Sequence, residues 1–286
     1  MVPVLITAAE LKERLASVRP PIILDVRWAL GMTDGHERYL EAHVPGAVYV
    51  DLETELAAPA ASGRGRHPLP DVEALQAGAR RWGIDTDSAV VAYDSAGNLS
   101  AARAWWLLRW GGLQNVRLLD GGFGAWLGEG FATEAGPAVS REGTVTLRRG
   151  ALPTLDAGGA AELARTGVLL DARAAERYRG EVEPIDPVAG HVPGALSAPT
   201  AANLRPDATF LDADELRRRF EALGVARGTP VGAYCGSGVN AAHELAALAI
   251  AGFDGALYAG SWSEWCSDPA RPVATGAAPD GESSAS

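Results

Sequence analysis

Two residues in this sequence could act as sulfur nucleophiles, Cys235 and Cys266. Their surroundings differ. Cys235 opens the run Cys235-Gly236-Ser237-Gly238-Val239-Asn240-Ala241, between two apolar stretches at residues 230–234 and 241–251. The first has the length of a buried strand and the second that of a helix. A residue between a strand end and a helix start lies where ligands bind in open α/β sheets. Gly236 and Gly238 allow the backbone to curl so that successive N–H groups converge on one centre. The helix that follows directs its positive end at the same place. That setting stabilises an anion, and the anion of a thiol is its reactive form. The chemistry implied is nucleophilic attack by Cys235 through a covalent intermediate on sulfur. Cys266 stands between Trp265 and Ser267-Asp268-Pro269, has no such loop, and reads as structural.

The elements that must position Cys235 are written twice in the chain, and a repeat of this kind governs the fold. Ile22-Ile23-Leu24-Asp25-Val26-Arg27 resembles Val168-Leu169-Leu170-Asp171-Ala172-Arg173. His43-Val44-Pro45-Gly46-Ala47 recurs as His191-Val192-Pro193-Gly194-Ala195. Val90-Val91-Ala92-Tyr93-Asp94 aligns with Val231-Gly232-Ala233-Tyr234-Cys235, and Gly121-Gly122 before Trp126 aligns with Gly260-Ser261 before Trp265. Asp71 and Asp212 each open a helical stretch ending near a glycine, Gly83 and Gly224.

Thr7-Ala8-Ala9-Glu10 is a capping-box pattern that predicts a helix over residues 8–17. A strand follows at 21–26. Its counterpart is a helix from Asp156 through Leu163 and a strand at 168–171. Strands at 89–93 and 230–234 each precede an apolar helix, at 101–110 and 241–251. Short apolar strands alternating with helices predict parallel sheets buried on both faces. The expected division is a first domain over residues 1–135, a Gly- and Pro-containing linker over 136–152, a second domain over 153–274 and a loose tail over 275–286.

The repeat also acts as an internal control. A residue present in both halves is expected to serve the fold, which assigns His43 and His191, Asp25 and Asp171, and Arg27 and Arg173 to structure. Cys235 is replaced in the first half by Asp94, which marks the second half as the catalytic one. Two rival chemistries fare poorly. A cysteine phosphatase needs an arginine six residues after its cysteine to clamp phosphate, and Ala241 stands there. A non-catalytic binding module would be expected to lack the cysteine in both halves.

Composition narrows the remaining classes. The chain has 286 residues, 47 % hydrophobic and 21 % charged, enough for two ordinary globular cores. A net charge of -11 without a basic run argues against nucleic acid as a partner. Two cysteines in this length do not make a disulfide scaffold. The first ten residues carry no basic and apolar leader pattern. No apolar run approaches the roughly 18 residues of a membrane span, so a cytoplasmic location and no membrane partner are expected. No metal-ligand cluster or cofactor motif appears, so no cofactor is expected.

Taken in order over residues 5–276, these motifs resemble the tandem-domain rhodanese and 3-mercaptopyruvate sulfurtransferase family. The pieces that carry the resemblance are Leu24-Asp25-Val26-Arg27-Trp28, Gly65-Arg66-His67-Pro68-Leu69-Pro70, Ala102-Arg103-Ala104-Trp105-Trp106, Leu119-Asp120-Gly121-Gly122, Glu176-Arg177-Tyr178-Arg179-Gly180-Glu181, the Cys235 loop, and Gly260-Ser261-Trp262-Ser263-Glu264-Trp265. The resemblance implies an α/β chain of two tandem rhodanese-like domains, each a parallel sheet flanked by helices on both faces, the second one catalytic. It implies transfer of a sulfane sulfur through a Cys235 persulfide. The donor would be 3-mercaptopyruvate, or alternatively thiosulfate. The acceptor would be a thiol, a thioredoxin-like protein or cyanide.

Residue by residue, the resemblance places the Cys235 persulfide among Gly236, Gly238, Val239 and Asn240. Asn240 replaces the threonine usual in mercaptopyruvate enzymes. Arg177 matches the arginine that holds the donor anion, with Arg179 two positions on to assist. A second arginine, often found further along in that subfamily, is missing from Pro184-Ile185-Asp186-Pro187. Ser237 and His67 match two members of a Ser–His–acid set that assists proton transfer, the acid being Glu53 or Asp51. Trp28 matches an aromatic residue of the first domain that lines the site.

Overall fold

The computed structural model describes residues 2–61 and 63–281, which divide into two compact units. In the first unit the order is β1 (Leu5–Ile6), α1 (Ala8–Leu15), β2 (Ile22–Asp25), α2 (Gly35–Glu41), β3 (Val48–Tyr49), α3 (Leu52–Glu55), α4 (Val72–Arg81), β4 (Val90–Tyr93), α5 (Ala101–Trp110), β5 (Val116–Leu119) and α6 (Gly122–Gly128). The second unit holds β6 (Thr154–Leu155), α7 (Ala157–Thr166), β7 (Val168–Asp171), α8 (Ala175–Tyr178), β8 (Leu196–Ser197), α9 (Ala213–Ala222), β9 (Val231–Tyr234), α10 (Asn240–Ala251), β10 (Ala256–Tyr258) and α11 (Ser261–Trp265).

Each unit builds a five-stranded parallel sheet, in the orders β1-β5-β4-β2-β3 and β6-β10-β9-β7-β8. The central strands β4 and β9 are buried along their whole length, as are the apolar runs that form them. Burial on both faces explains why these strands show no alternation in sequence. The helices cover the sheets in layers: α1 packs on α6 and α3 on α4 in the first unit, α7 on α11 and α9 on α10 in the second.

The repeated residues hold equivalent structural posts. Arg27 clasps Asp25 through Nε and a terminal nitrogen, and Arg173 clasps Asp171 the same way, all four side chains buried. His43 stacks on Tyr39 with its Nδ1 2.7 Å from that residue's carbonyl oxygen. His191 does the same with Tyr178 at 2.8 Å.

Four stretches depart from the expected division. Residues 136–152 pack within the first unit instead of serving as a free linker. Val145 and Leu147 are buried at alternate positions, and the N–H groups of Val145 and Arg148 donate to the carbonyls of Ile84 and Gly111. Residues 59–68 group with the second unit and 204–210 with the first. The tail is held as far as residue 281. The N–H of Gly276 donates to the carbonyl of Arg179, and Pro279 accepts from the N–H of Gly194. Residues 282–286 of the expected tail lie outside the described residues. The first helix starts at its capping box as expected and ends at Leu15, two residues earlier than expected.

Candidate active site

Cys235 follows β9 directly, at the carboxyl end of the central strand. The chain leaves β9 through α10 toward β10, whereas it leaves β7 toward β8 on the opposite side. The gap between β7 and β9 is therefore a topological switch point, where an open sheet leaves a crevice for ligand. Cys235 closes the end of β9 there, and Arg177 on α8 belongs to the connection that leaves β7.

The loop curls because its carbonyls are drawn to α11. The N–H groups of Trp262 and Ser263 each donate at 2.9 Å to the carbonyls of Cys235 and Gly236. Gly238 takes φ +81°, and a Cβ on it would lie 2.4 Å from the carbonyl oxygen of Ala259. Only glycine fits this combination of backbone and space. Its N–H donates to Cys235 Sγ at 3.1 Å. Val239 precedes α10 and offers that helix no side-chain cap. Cys235 itself is buried, 3 % exposed.

Ser261 anchors Cys235 from behind. Its Oγ accepts from the Cys235 N–H at 3.1 Å and donates to the Tyr258 carbonyl. It does so with φ +56°, a conformation rare outside glycine. Its first-half counterpart is Gly122 at φ +58°. Sequence reasoning passed over Ser261, although the exchange of glycine for serine between halves was a visible signal.

The segment 65–67 lies over the loop. Gly65 takes φ +77°, and a Cβ there would fall 2.6 Å from the Gly260 carbonyl oxygen. The Arg66 N–H donates to Ser263 Oγ at 3.1 Å. His67 Nδ1 and Ser237 Oγ share a hydrogen bond of 2.8 Å, both side chains buried. The two residues expected to move a proton are thus in contact, with Ser237 two positions from Cys235.

Arg177 gives Nε and one terminal nitrogen to Glu183, at 3.2 and 2.6 Å, and reaches Asp186 at 3.3 Å. Burial pushes the Glu183 carboxyl up, but Arg177 and the N–H groups of Asp186 and Ile185 outweigh it and hold the group below the ordinary range. The Arg177 guanidinium also borders Gly236. Arg179 makes a two-pronged, exposed pair with Glu181, 2.7 Å on each side.

In the first unit, Trp28 Nε1 donates to Glu53 Oε1 at 3.0 Å. Asp51 caps α3 by accepting from the Thr54 N–H at 2.9 Å. Trp28, Asp51 and Glu53, with His36, Met32 and Tyr49, line a cavity of about 400 Å³. The loop after β4 carries Asp94 where Cys235 stands in the second unit. Among the described residues no helix is long and apolar enough to cross a membrane.

A five-stranded parallel sheet made twice, with a glycine-bearing loop after each central strand and a cysteine in that loop of the second copy only, defines a tandem protein of the rhodanese type. The chain belongs to that family: the rhodanese-like domain matches residues 7–129 and 157–268. It is 50 % identical over 280 residues to a protein of Mycobacterium tuberculosis named putative thiosulfate sulfurtransferase SseB, covering 96 % of this chain and 98 % of the relative. It is also 50 % identical over 281 residues to a probable 3-mercaptopyruvate sulfurtransferase of Pseudomonas aeruginosa, covering 95 % and 98 %. Among solved structures it is similar to the 3-mercaptopyruvate sulfurtransferase SseA of Escherichia coli. The TM-score is 0.81 at 32 % identity, over 92 % of this chain and all of that one.

Proposed function

We propose that the chain moves sulfur from 3-mercaptopyruvate to a thiol acceptor through a persulfide on Cys235. It is an enzyme, a sulfurtransferase. In the loading half, the Cys235 thiolate attacks the donor sulfur, an S–S bond forms and the C–S bond breaks. The bonding pair stays on carbon, and the resulting enolate takes a proton to become pyruvate. The Gly238 N–H, already on Sγ, stands beside the persulfide as it forms. In the discharge half an acceptor thiolate attacks the outer sulfur, and Cys235 leaves as the thiolate. The acceptor is a small thiol, a thioredoxin-like protein or cyanide.

The observation that carries the choice of donor is the His67–Ser237 hydrogen bond at 2.8 Å. Cleavage of a C–S bond leaves carbon in need of a proton, and a buried histidine–serine pair beside the nucleophile can deliver one. Sulfite, the leaving group of thiosulfate, departs as a stable anion and needs none. The loop side chains Ser237, Val239 and Asn240 are uncharged, which also suits a singly charged donor.

Thiosulfate is the second reading, favoured by the guanidinium groups of Arg66 and Arg177 beside Gly236. The test is kcat/KM for both donors side by side, with mass spectrometry after each. A gain of one sulfur that is lost on adding a thiol is expected. A ratio favouring thiosulfate reverses the donor, and no adduct with either donor overturns sulfur transfer altogether.

A further inference from the structure

We propose that Arg66 is the second arm of the donor-anion clamp, filling the role that the missing arginine near Asp186 leaves open. The proposal rests on the sulfurtransferase reading above and names the residues that bind the donor carboxylate.

The geometry centres on Gly236, the residue after the nucleophile. A Cβ built there would lie 3.0 Å from a terminal nitrogen of Arg66 and 3.5 Å from one of Arg177. Two guanidinium groups therefore converge on one small volume that glycine leaves empty. These two nitrogens, Nη2 of Arg66 and Nη1 of Arg177, make no other hydrogen bond among the described residues. Among the described residues the buried Nε of Arg66 also lacks a hydrogen-bond partner, so this guanidinium retains donor capacity.

The rest of each guanidinium is fixed. Asp186 is buried and gives one carboxylate oxygen to Arg66 and the other to Arg177. Arg177 is held further by Glu183. The backbone of Arg66 is pinned by the Ser263 hydroxyl and by the close approach of Gly65 to Gly260. Positions held this firmly cost little ordering entropy when an anion arrives. The two arginines and two carboxylates sum to no net charge. Such a site binds an anion through directed N–H donors and not through net charge. Arg179, by contrast, gives its fork to Glu181 at the surface.

The experiment uses the full chain with Arg66→Met and Arg66→Lys, loaded in single turnovers across a range of 3-mercaptopyruvate concentrations. Loss of one charge-assisted arm should raise the half-saturating concentration about 10- to 150-fold in Arg66→Met. Arg66→Lys should fall between that variant and the parent. The plateau loading rate should change little, and discharge of the loaded persulfide to dithiothreitol not at all. An unchanged half-saturating concentration overturns the clamp. So does a parallel fall in plateau and discharge in both variants, which would mark Arg66 as a support for the loop. Failure of the parent protein to gain sulfur would instead overturn the sulfurtransferase reading, a result visible before any variant is made.

Discussion

Asp94 and Cys235 occupy the same post in the two halves, each following the central strand, with Asp94 accepting several N–H groups from its loop and Cys235 Sγ accepting that of Gly238. Asp94 Oδ1 accepts from Ala96 and Asn98 at 2.7 and 2.8 Å, and Oδ2 from Ser100 and Ala101 at 2.7 and 2.9 Å. The first-unit loop thus closes on a carboxylate that is part of the chain, where the second-unit loop turns the Gly238 N–H toward a sulfur. Asp94→Ala would leave four N–H groups, three of them buried, short of an acceptor. At about 1–3 kcal/mol for each unsatisfied group, even partial rescue by water leaves a loss of at least about 2 kcal/mol. Thermal melting and hydrogen exchange at amides 96, 98, 100 and 101 check this. Unchanged exchange at those amides would show that the carboxylate does not hold the loop.

Cys235→Ser should abolish sulfur transfer and leave the fold intact. A serine hydroxyl occupies slightly less space and can still accept from Gly238, but it forms no persulfide and is a poor nucleophile at neutral pH. Turnover above trace level in this variant would remove Cys235 from the mechanism. Cys266 lies in the second-unit core among Trp262, Trp265 and Tyr258, and burial pushes its thiol up, away from the reactive form. Cys266→Ser should therefore retain near-full activity, read as turnover per folded molecule.

The doubling of motifs made most of the fold legible before any coordinates. Apolar runs of four or five residues mark β2, β4, β7 and β9, and helices α5 and α10 fall where their apolar runs lie. What escaped was of two kinds. Residues 136–152 read as a linker because Gly136, Pro137, Gly143 and Gly150 dominate the eye, yet Val145 and Leu147 carry the alternation of a packed extended segment. At the site, Cys235 and its glycines were accessible from local spacing, and Ser237 through the family resemblance. Arg66 and Ser261 were not, because what they do depends on which loop lies across which. Arg66 is separated from Asp186 by 120 positions, and no periodicity links two residues across that distance.

The His67–Ser237 pair makes a prediction that separates the donors. His67→Gln and Ser237→Ala should slow loading from 3-mercaptopyruvate by about 100-fold or more, the usual scale of general acid catalysis. Loading from thiosulfate should change by no more than a few-fold, since sulfite needs no proton to leave. Stopped-flow measurement of both loading reactions in each variant provides the comparison. Equal losses with both donors would reduce the pair to a structural contact that shapes the loop.

Acid stability should report the Glu183 cluster. Its folded carboxyl lies below the ordinary value, chiefly because Arg177 and two N–H groups overcome the effect of burial. A depressed carboxylate adds stability that is fully present above its unfolded value, about 4.3. That stability is lost as pH falls through the lower folded value. Melting temperature measured from pH 7 down to pH 3 should therefore drop more steeply for the parent than for Glu183→Gln, which begins lower and falls less. Parallel curves for the two proteins would remove Glu183 from the acid transition.

Arg177→Lys is the sharpest test of the clamp, because lysine keeps the charge and loses the fork. In the parent, two nitrogens of Arg177 hold Glu183 while a third faces the space over Gly236. One ammonium cannot serve both, and the buried Glu183 carboxylate, with Arg173 3.4 Å away as its other guanidinium partner, retains it. The donor anion then loses a charge-assisted hydrogen bond, which raises the loading barrier by about 1.5–3 kcal/mol, or about 10- to 150-fold in kcat/KM. Discharge of the persulfide to a small neutral thiol passes no anion through the clamp, so that half-reaction should keep its rate. Pre-steady-state measurement of the two halves separates them. If Arg177→Lys slows both halves equally, or neither, Arg177 serves the ion pair with Glu183 and the donor is held elsewhere.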